Sequence, residues 1–115
     1  MSNNKNLGTA FERRVCELLK SKGYWVHFLA PDSRGSQPFD IIAVKDGIAA
    51  AIECKTLNAE DTYFYASRLE ENQRMAFDYW LKCGNAMPLI YVEYRDEIKV
   101  IRWDQLRKAE KVRMR

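Results

Sequence analysis

The stretch from Pro38 to Thr56, PFDIIAVKDGIAAAIECKT, constrains the fold more than any other part of the chain. Two apolar runs flank Lys45-Asp46-Gly47. Asp-Gly is favoured at the two central positions of a type I′ turn, where both residues need positive φ. A hairpin closed there pairs residues whose numbers sum to 93, which brings Asp40 directly opposite Glu53. Opposed side chains share a face with Cβ atoms roughly 4.5 to 5.5 Å apart, and like charges so placed repel. Lys55 joins the same face because strand side chains alternate. A three-residue loop or a bulge would shift this pairing by one.

Two readings of the patch stand side by side at this level. In one, the carboxylates are close because a cation sits between them, and an oxygen-rich site with few protein ligands suits magnesium, which keeps several waters. In the other, Asp40 is a turn former beside Pro38, and Glu53 is neutralised by Lys55 on a solvated strand.

The rest of the chain supplies a scaffold. Leu7, Phe11, Val15, Leu18 and Leu19 recur at helical spacing and predict a helix from about Leu7 to Lys22, stopped by Gly23. Tyr24 to Leu29 is aromatic and β-branched, a strand, and APDSRGSQP after it is loop by composition. The hairpin follows, then TLNAEDTYFYAS, a mixed connection with no clear period. Leu69, Ala76, Phe77, Trp80 and Leu81 share one face of a second helix, from about Arg68 to Lys82 with Gly84 as its stop. MPLIYVEY and EIKVIRW are strands around a turn at Arg95 and Asp96, and WDQLRKAEK begins a short basic helix with Asp104 as N-cap. The expected class is α/β, in the order αβββαββα, with a five-stranded mixed sheet flanked by helices. Trp25, Trp80 and Trp103 are expected in the core.

Composition narrows the function classes. With 115 residues, 47% hydrophobic and 12% aromatic, the chain can bury a core as a single domain over residues 1–115. No apolar run approaches the roughly 20 residues that cross a bilayer, and the first fifteen residues lack a signal peptide's apolar block, so the expected location is cytoplasmic with no membrane partner. Cys16, Cys54 and Cys83 are odd in number and widely spaced, and His27 is the sole imidazole, which supports neither a disulfide scaffold nor a zinc site. From Lys99 onward seven Lys or Arg face two acidic residues, net +5, while residues 1–98 carry 12 against 14, net −2. That basic tail fits a solvated helix end or a phosphate contact equally.

Phe39-Asp40, three apolar residues, the turn, and Ile52-Glu53-Cys54-Lys55 together resemble the PD-(D/E)xK nuclease signature, with Phe39 standing between Pro38 and Asp40. With Gly8-x-x-x-Glu12 in the first helix and the Ser/Gly-rich loop before Phe39, the chain is similar over about residues 7–81 to small Holliday junction resolvases, of the archaeal type and the RecU type of bacteria and phages. The resemblance implies a restriction-endonuclease-like core and magnesium-dependent cleavage of DNA, branched DNA above all, with manganese able to substitute. It implies Asp40, Glu53 and the Cys54 backbone carbonyl as metal ligands, Glu12 completing the shell, and Lys55 orienting the attacking water. Cutting a four-way junction twice calls for a C2 homodimer. Two alternatives are a restriction-like, nicking or repair endonuclease of the same fold, and a non-catalytic nucleic-acid-binding module.

Supporting residues have ordinary readings beside these. Thr9-Ala10-Phe11-Glu12 has the form of a capping box, which would occupy Glu12 without any metal. Gln73 falls inside the apolar arc of its helix, so its amide needs a buried partner: either a backbone group or the site itself, the latter implied by the Gln73-x-x-x-Phe77 pattern of such nucleases. Ser36 and Gln37 resemble polar residues that some resolvases place near the scissile phosphate. Arg34, Arg13, Arg14 and Lys5 are candidate phosphate contacts.

Overall fold

The computed structural model describes residues 9–29 and 37–115. Helix α1 (Ala10–Ser21) starts later than its apolar spacing predicts, because Thr9 is its N-cap: the Thr9 hydroxyl accepts from Glu12 N–H (3.1 Å) and Glu12 Oε1 accepts from Thr9 N–H (2.7 Å). The capping box is therefore real. Gly23, at φ 93°, turns the chain into strand β1 (Trp25–Phe28).

Strands β2 (Ile41–Lys45) and β3 (Ile48–Thr56) form the hairpin with the expected register, from Lys45↔Ile48 to Ile41↔Ile52. Asp46 and Gly47 both have positive φ, 54° and 77°, as a type I′ turn demands. Arg95 and Asp96, at 53° and 65°, make a turn of the same kind between β5 (Leu89–Tyr94) and β6 (Glu97–Arg102). The five strands lie in the order β1-β2-β3-β5-β6; β3 and β5 are parallel and the other neighbours antiparallel.

The sheet is covered on both sides. Phe11, Val15 and Leu19 of α1 pack on Ile41, Ala43, Ile52 and Cys54. The opposite face, with Ala51, Ile90 and Val92, packs on Phe77 of α2 (Glu71–Lys82), on Trp103 and Leu106 of α3 (Trp103–Ala109), and on Phe39 and Phe64. Ala51 to Cys54 are consequently all buried, which is why this central strand reads as a continuous apolar run and not as an alternation. Among the described residues no helix is long and apolar enough to cross a membrane.

Four expectations need correction. The second helix begins at Glu71, not near Arg68, because Ala66–Arg68 forms a separate 3-10 turn and Leu69 is extended. Asp104 is not the N-cap of α3. Strand β6 runs straight to Arg102, which takes the cap position, and Asp104 sits in the first turn, bound by the Arg102 guanidinium at 3.0 and 2.9 Å. Trp25 is not core: it is 62% exposed on the short edge strand, stacked on His27 at 6.1 Å. Finally, the unassigned connection and the tail form a second sheet, β4 (Tyr63–Tyr65) with β7 (Lys111–Arg113), so the tail is a strand and not a helix end.

Candidate active site

The site lies where the ladder between β2 and β3 gives way. Pairing holds as far as Ile41↔Ile52, and one residue further Asp40 N–H donates to the Ile52 carbonyl (3.1 Å), a shift of one from the hairpin register. The Asp40 side chain takes over the role of the strand it precedes: its Oδ2 accepts from Cys54 N–H at 2.8 Å. That bond fixes the carboxylate against β3, beside Glu53. Asp40 and Glu53 are 3% and 2% exposed, so both charges are almost out of water.

Glu53 is surrounded by donors on one side only. Its Oε2 receives Gln73 Nε2 at 2.9 Å and faces Lys55 Nζ at 3.6 Å. Its Oε1 is buried with no hydrogen-bond partner among the described residues. An orphaned carboxylate oxygen carries a desolvation cost of about 1–3 kcal/mol or more. A cation at that oxygen removes the cost.

The titration of the pair says the same. Burial above all, with help from the Glu12 charge, pushes Asp40 up from its ordinary 3.8 to about 6, against the Cys54 N–H and Gln37 bonds and the attraction of Lys55. Burial and then the Asp40 charge push Glu53 from 4.5 to about 8, against Lys55 and Gln73. Two neighbouring carboxylates whose metal-free form resists ionisation are what a cation site looks like before its charge is supplied. Burial likewise raises the Cys54 thiol, so of this residue only the backbone is available for chemistry.

Gln73 has both of its expected kinds of partner, a backbone N–H at one end of the amide and Glu53 at the other. It is the third residue of α2, where its Oε1 accepts from Glu70 N–H (3.0 Å) as half of a capping box. That bond fixes the amide's orientation, so the NH2 end must point at Glu53. The helix start thereby holds the Glu53 carboxylate in place.

Glu12 is half-buried and near enough for its charge to act on Asp40, yet its Oε1 is committed to the Thr9 cap. Among the described residues no three His, Cys, Asp or Glu side chains converge as a ready metal cage. The residues that could hold an ion here are Asp40 and Glu53, with the Cys54 carbonyl, Glu12 and water as further oxygen donors.

The candidate DNA contacts divide. Arg34 and Ser36 lie outside the described residues, as do Lys5 and Gly8. Gln37 turns inward, its Nε2 3.4 Å from Asp40 Oδ1, and supports the carboxylate. Arg13 is exposed on the first turn of α1. Arg14 binds Glu93 at 2.6 Å, and Glu93 in turn accepts from the Thr56 hydroxyl (3.2 Å), so Arg14 braces α1 against β5 and β3. Glu93 escaped the sequence reading because an acidic residue at an alternate position of VEY reads as a solvated strand face. Asn72, whose amide reaches the Gln37 carbonyl at 3.4 Å, left no signal.

A mixed five-stranded sheet whose hairpin presents Asp40, Glu53 and Lys55 at a broken ladder, backed by a glutamine on the crossover helix, defines a nuclease of the PD-(D/E)xK class. The model of the archaeal Holliday junction resolvase family (Hjc) matches residues 3–115, and the chain belongs to that family. Its members are nucleases that act on DNA phosphodiester bonds at four-way junctions and work with divalent metal ions. Among solved structures, the chain is similar to Archaeoglobus fulgidus Hjc, a Holliday junction resolvase from an archaeal hyperthermophile. The TM-score is 0.70 at 22% identity, over 92% of this chain and 88% of that one.

Proposed function

We propose that this chain, a single domain acting in the cytoplasm as a C2 homodimer, resolves four-way DNA junctions by magnesium-dependent hydrolysis at Asp40, Glu53 and Lys55. The observation that carries the reading is the buried pair with its one unpartnered oxygen, Glu53 Oε1. Asp40, Glu53 and the Cys54 carbonyl would hold the ion, with Glu12 and water as further donors. When bound, it supplies Lewis-acid polarisation of the phosphate and a lower pKa for the attacking water.

The protein's own groups do the rest. Lys55 is held beside Glu53 Oε2, 3.6 Å away, where its ammonium orients the water and offsets charge developing on the phosphate. Gln73 keeps Glu53 from rotating away, since its amide is itself pinned by Glu70. The apolar hairpin around the pair excludes water and strengthens each of these interactions. Two cuts related by near two-fold symmetry follow from two copies of one site.

Parallel assays on synthetic four-way junctions, flaps and linear duplex, with magnesium and with chelator, test the assignment. Magnesium-dependent paired nicks confined to the junction are expected. Equal cutting of linear duplex would replace the resolvase with a general endonuclease of the same fold.

A further inference from the structure

The basic excess of the chain ends in β7, which closes a two-stranded ribbon with β4: Tyr63↔Arg113, Phe64↔Val112, Tyr65↔Lys111. A two-stranded ribbon alone is marginal in water. This one is anchored because Phe64 and Met114 are buried in the core, Val112 packs against it, and Met114 N–H donates to the Thr62 carbonyl (2.8 Å). The same alternation leaves Tyr63, Tyr65, Lys111 and Arg113 on the outer face. Tyr65 is 48% exposed, and both Lys111 and Arg113 are exposed.

The cations on that face are held by Tyr63, whose hydroxyl accepts from Arg113 Nη1 at 3.5 Å. Lys111 Nζ lies 4.4 Å and the Arg113 guanidinium 5.9 Å from the centre of the Tyr63 ring. Neither pairs with a carboxylate among the described residues. Neighbouring arginines are already occupied by backbone carbonyls: Arg95 by Ala59 (2.8 Å), Arg115 by Glu60 (3.1 Å), and Arg68 by Thr56 (2.8 Å). The last bond ties the 3-10 turn that follows β4 to Thr56, the residue after Lys55 on β3. An aromatic floor carrying two cations that no carboxylate neutralises among the described residues suits a polyanion.

We propose that the outer face of the β4–β7 ribbon is a second DNA contact, in which Lys111 and Arg113 grip the phosphate backbone of a junction arm and Tyr63 and Tyr65 hold them in position. This inference rests on the resolvase reading and adds a surface to it. Contacts to phosphate fix orientation on the duplex without reading sequence, which is the need of an enzyme that recognises a branch.

The test measures binding of a four-way junction by full-length Glu53→Gln protein, which leaves the ribbon intact, across a salt series. It is compared with the same protein carrying Lys111→Gln and Arg113→Gln. Each phosphate contact contributes about 0.9 to the slope of log affinity against log salt, so the Gln pair lowers the slope by about two and weakens binding about 10-fold or more near 0.1 M salt. A charge-keeping pair, Lys111→Arg with Arg113→Lys, keeps the slope. An unchanged slope in the Gln pair, or equal weakening in the charge-keeping pair, overturns the proposal. Wild-type cutting in the same buffers with magnesium reports on the nuclease by itself, so intact cutting beside an unchanged slope removes the ribbon contact alone.

Discussion

Asp40 and Glu53 set the pH behaviour of the metal-free protein. Both folded-state pKa values lie above their ordinary values, at about 6 and about 8. The folded state then binds more protons than the unfolded chain at intermediate pH, so the stability from these groups is full below about pH 4 and is lost as pH rises toward 8. With roughly 1.4 kcal/mol per pKa unit, the loss amounts to several kcal/mol. Thermal unfolding in chelator should show a melting temperature that falls between about pH 5 and pH 9, and Glu53→Gln should lack the upper part of that fall. Magnesium should stabilise the wild type more at pH 8.5 than at pH 6, because binding must displace protons. A melting temperature independent of pH in chelator would contradict the buried pair. The residues at this scale that were legible in the sequence are those whose spacing is local: the two carboxylates, Lys55, and Gln73 as a polar amide in an apolar arc. Glu93 and Asn72 were not, because their partners lie far away in the chain.

At the scale of elements, caps decide where function begins. The α1 cap uses Thr9 and Glu12 reciprocally, so the residue expected to complete the metal shell also holds the helix start. Thr9→Ala should lower stability by about 1 kcal/mol, a few degrees in melting temperature, because the Glu12 N–H loses the Thr9 hydroxyl, whereas Glu12→Gln should weaken magnesium binding. Calorimetric magnesium titration beside thermal unfolding checks both parts; unchanged affinity in Glu12→Gln would separate Glu12 from the metal. The β2–β3 hairpin was readable because Asp-Gly is one of the few pairs strongly favoured where both central residues need positive φ. The β4–β7 ribbon was not readable from local pattern: each strand is three residues long, and its stability comes from Phe64 and Met114 entering a core assembled elsewhere. Trp25 escaped for a related reason, since a four-residue edge strand alternates correctly while, among the described residues, Trp25 stays largely exposed on its outer face.

Across the whole molecule, the sheet does one mechanical task. It buries β3 between α1 on one face and α2 with α3 on the other, and so holds Glu53 and Lys55 on a strand that cannot shift without disturbing both cores. The order αβββαββα describes the main sheet and its helices, and the β4–β7 ribbon adds a charged face beyond it. Glu53, whose buried Oε1 has no partner among the described residues, is proposed to hold the ion on which cutting depends. The most direct measurement is the rate of four-way junction cutting at saturating magnesium by wild-type and Glu53→Gln proteins of matched fold. A loss of about 10³-fold or more, on the order of 4 kcal/mol in transition-state stabilisation, is the predicted result. Cutting by the variant within about 10-fold of the wild type would contradict it.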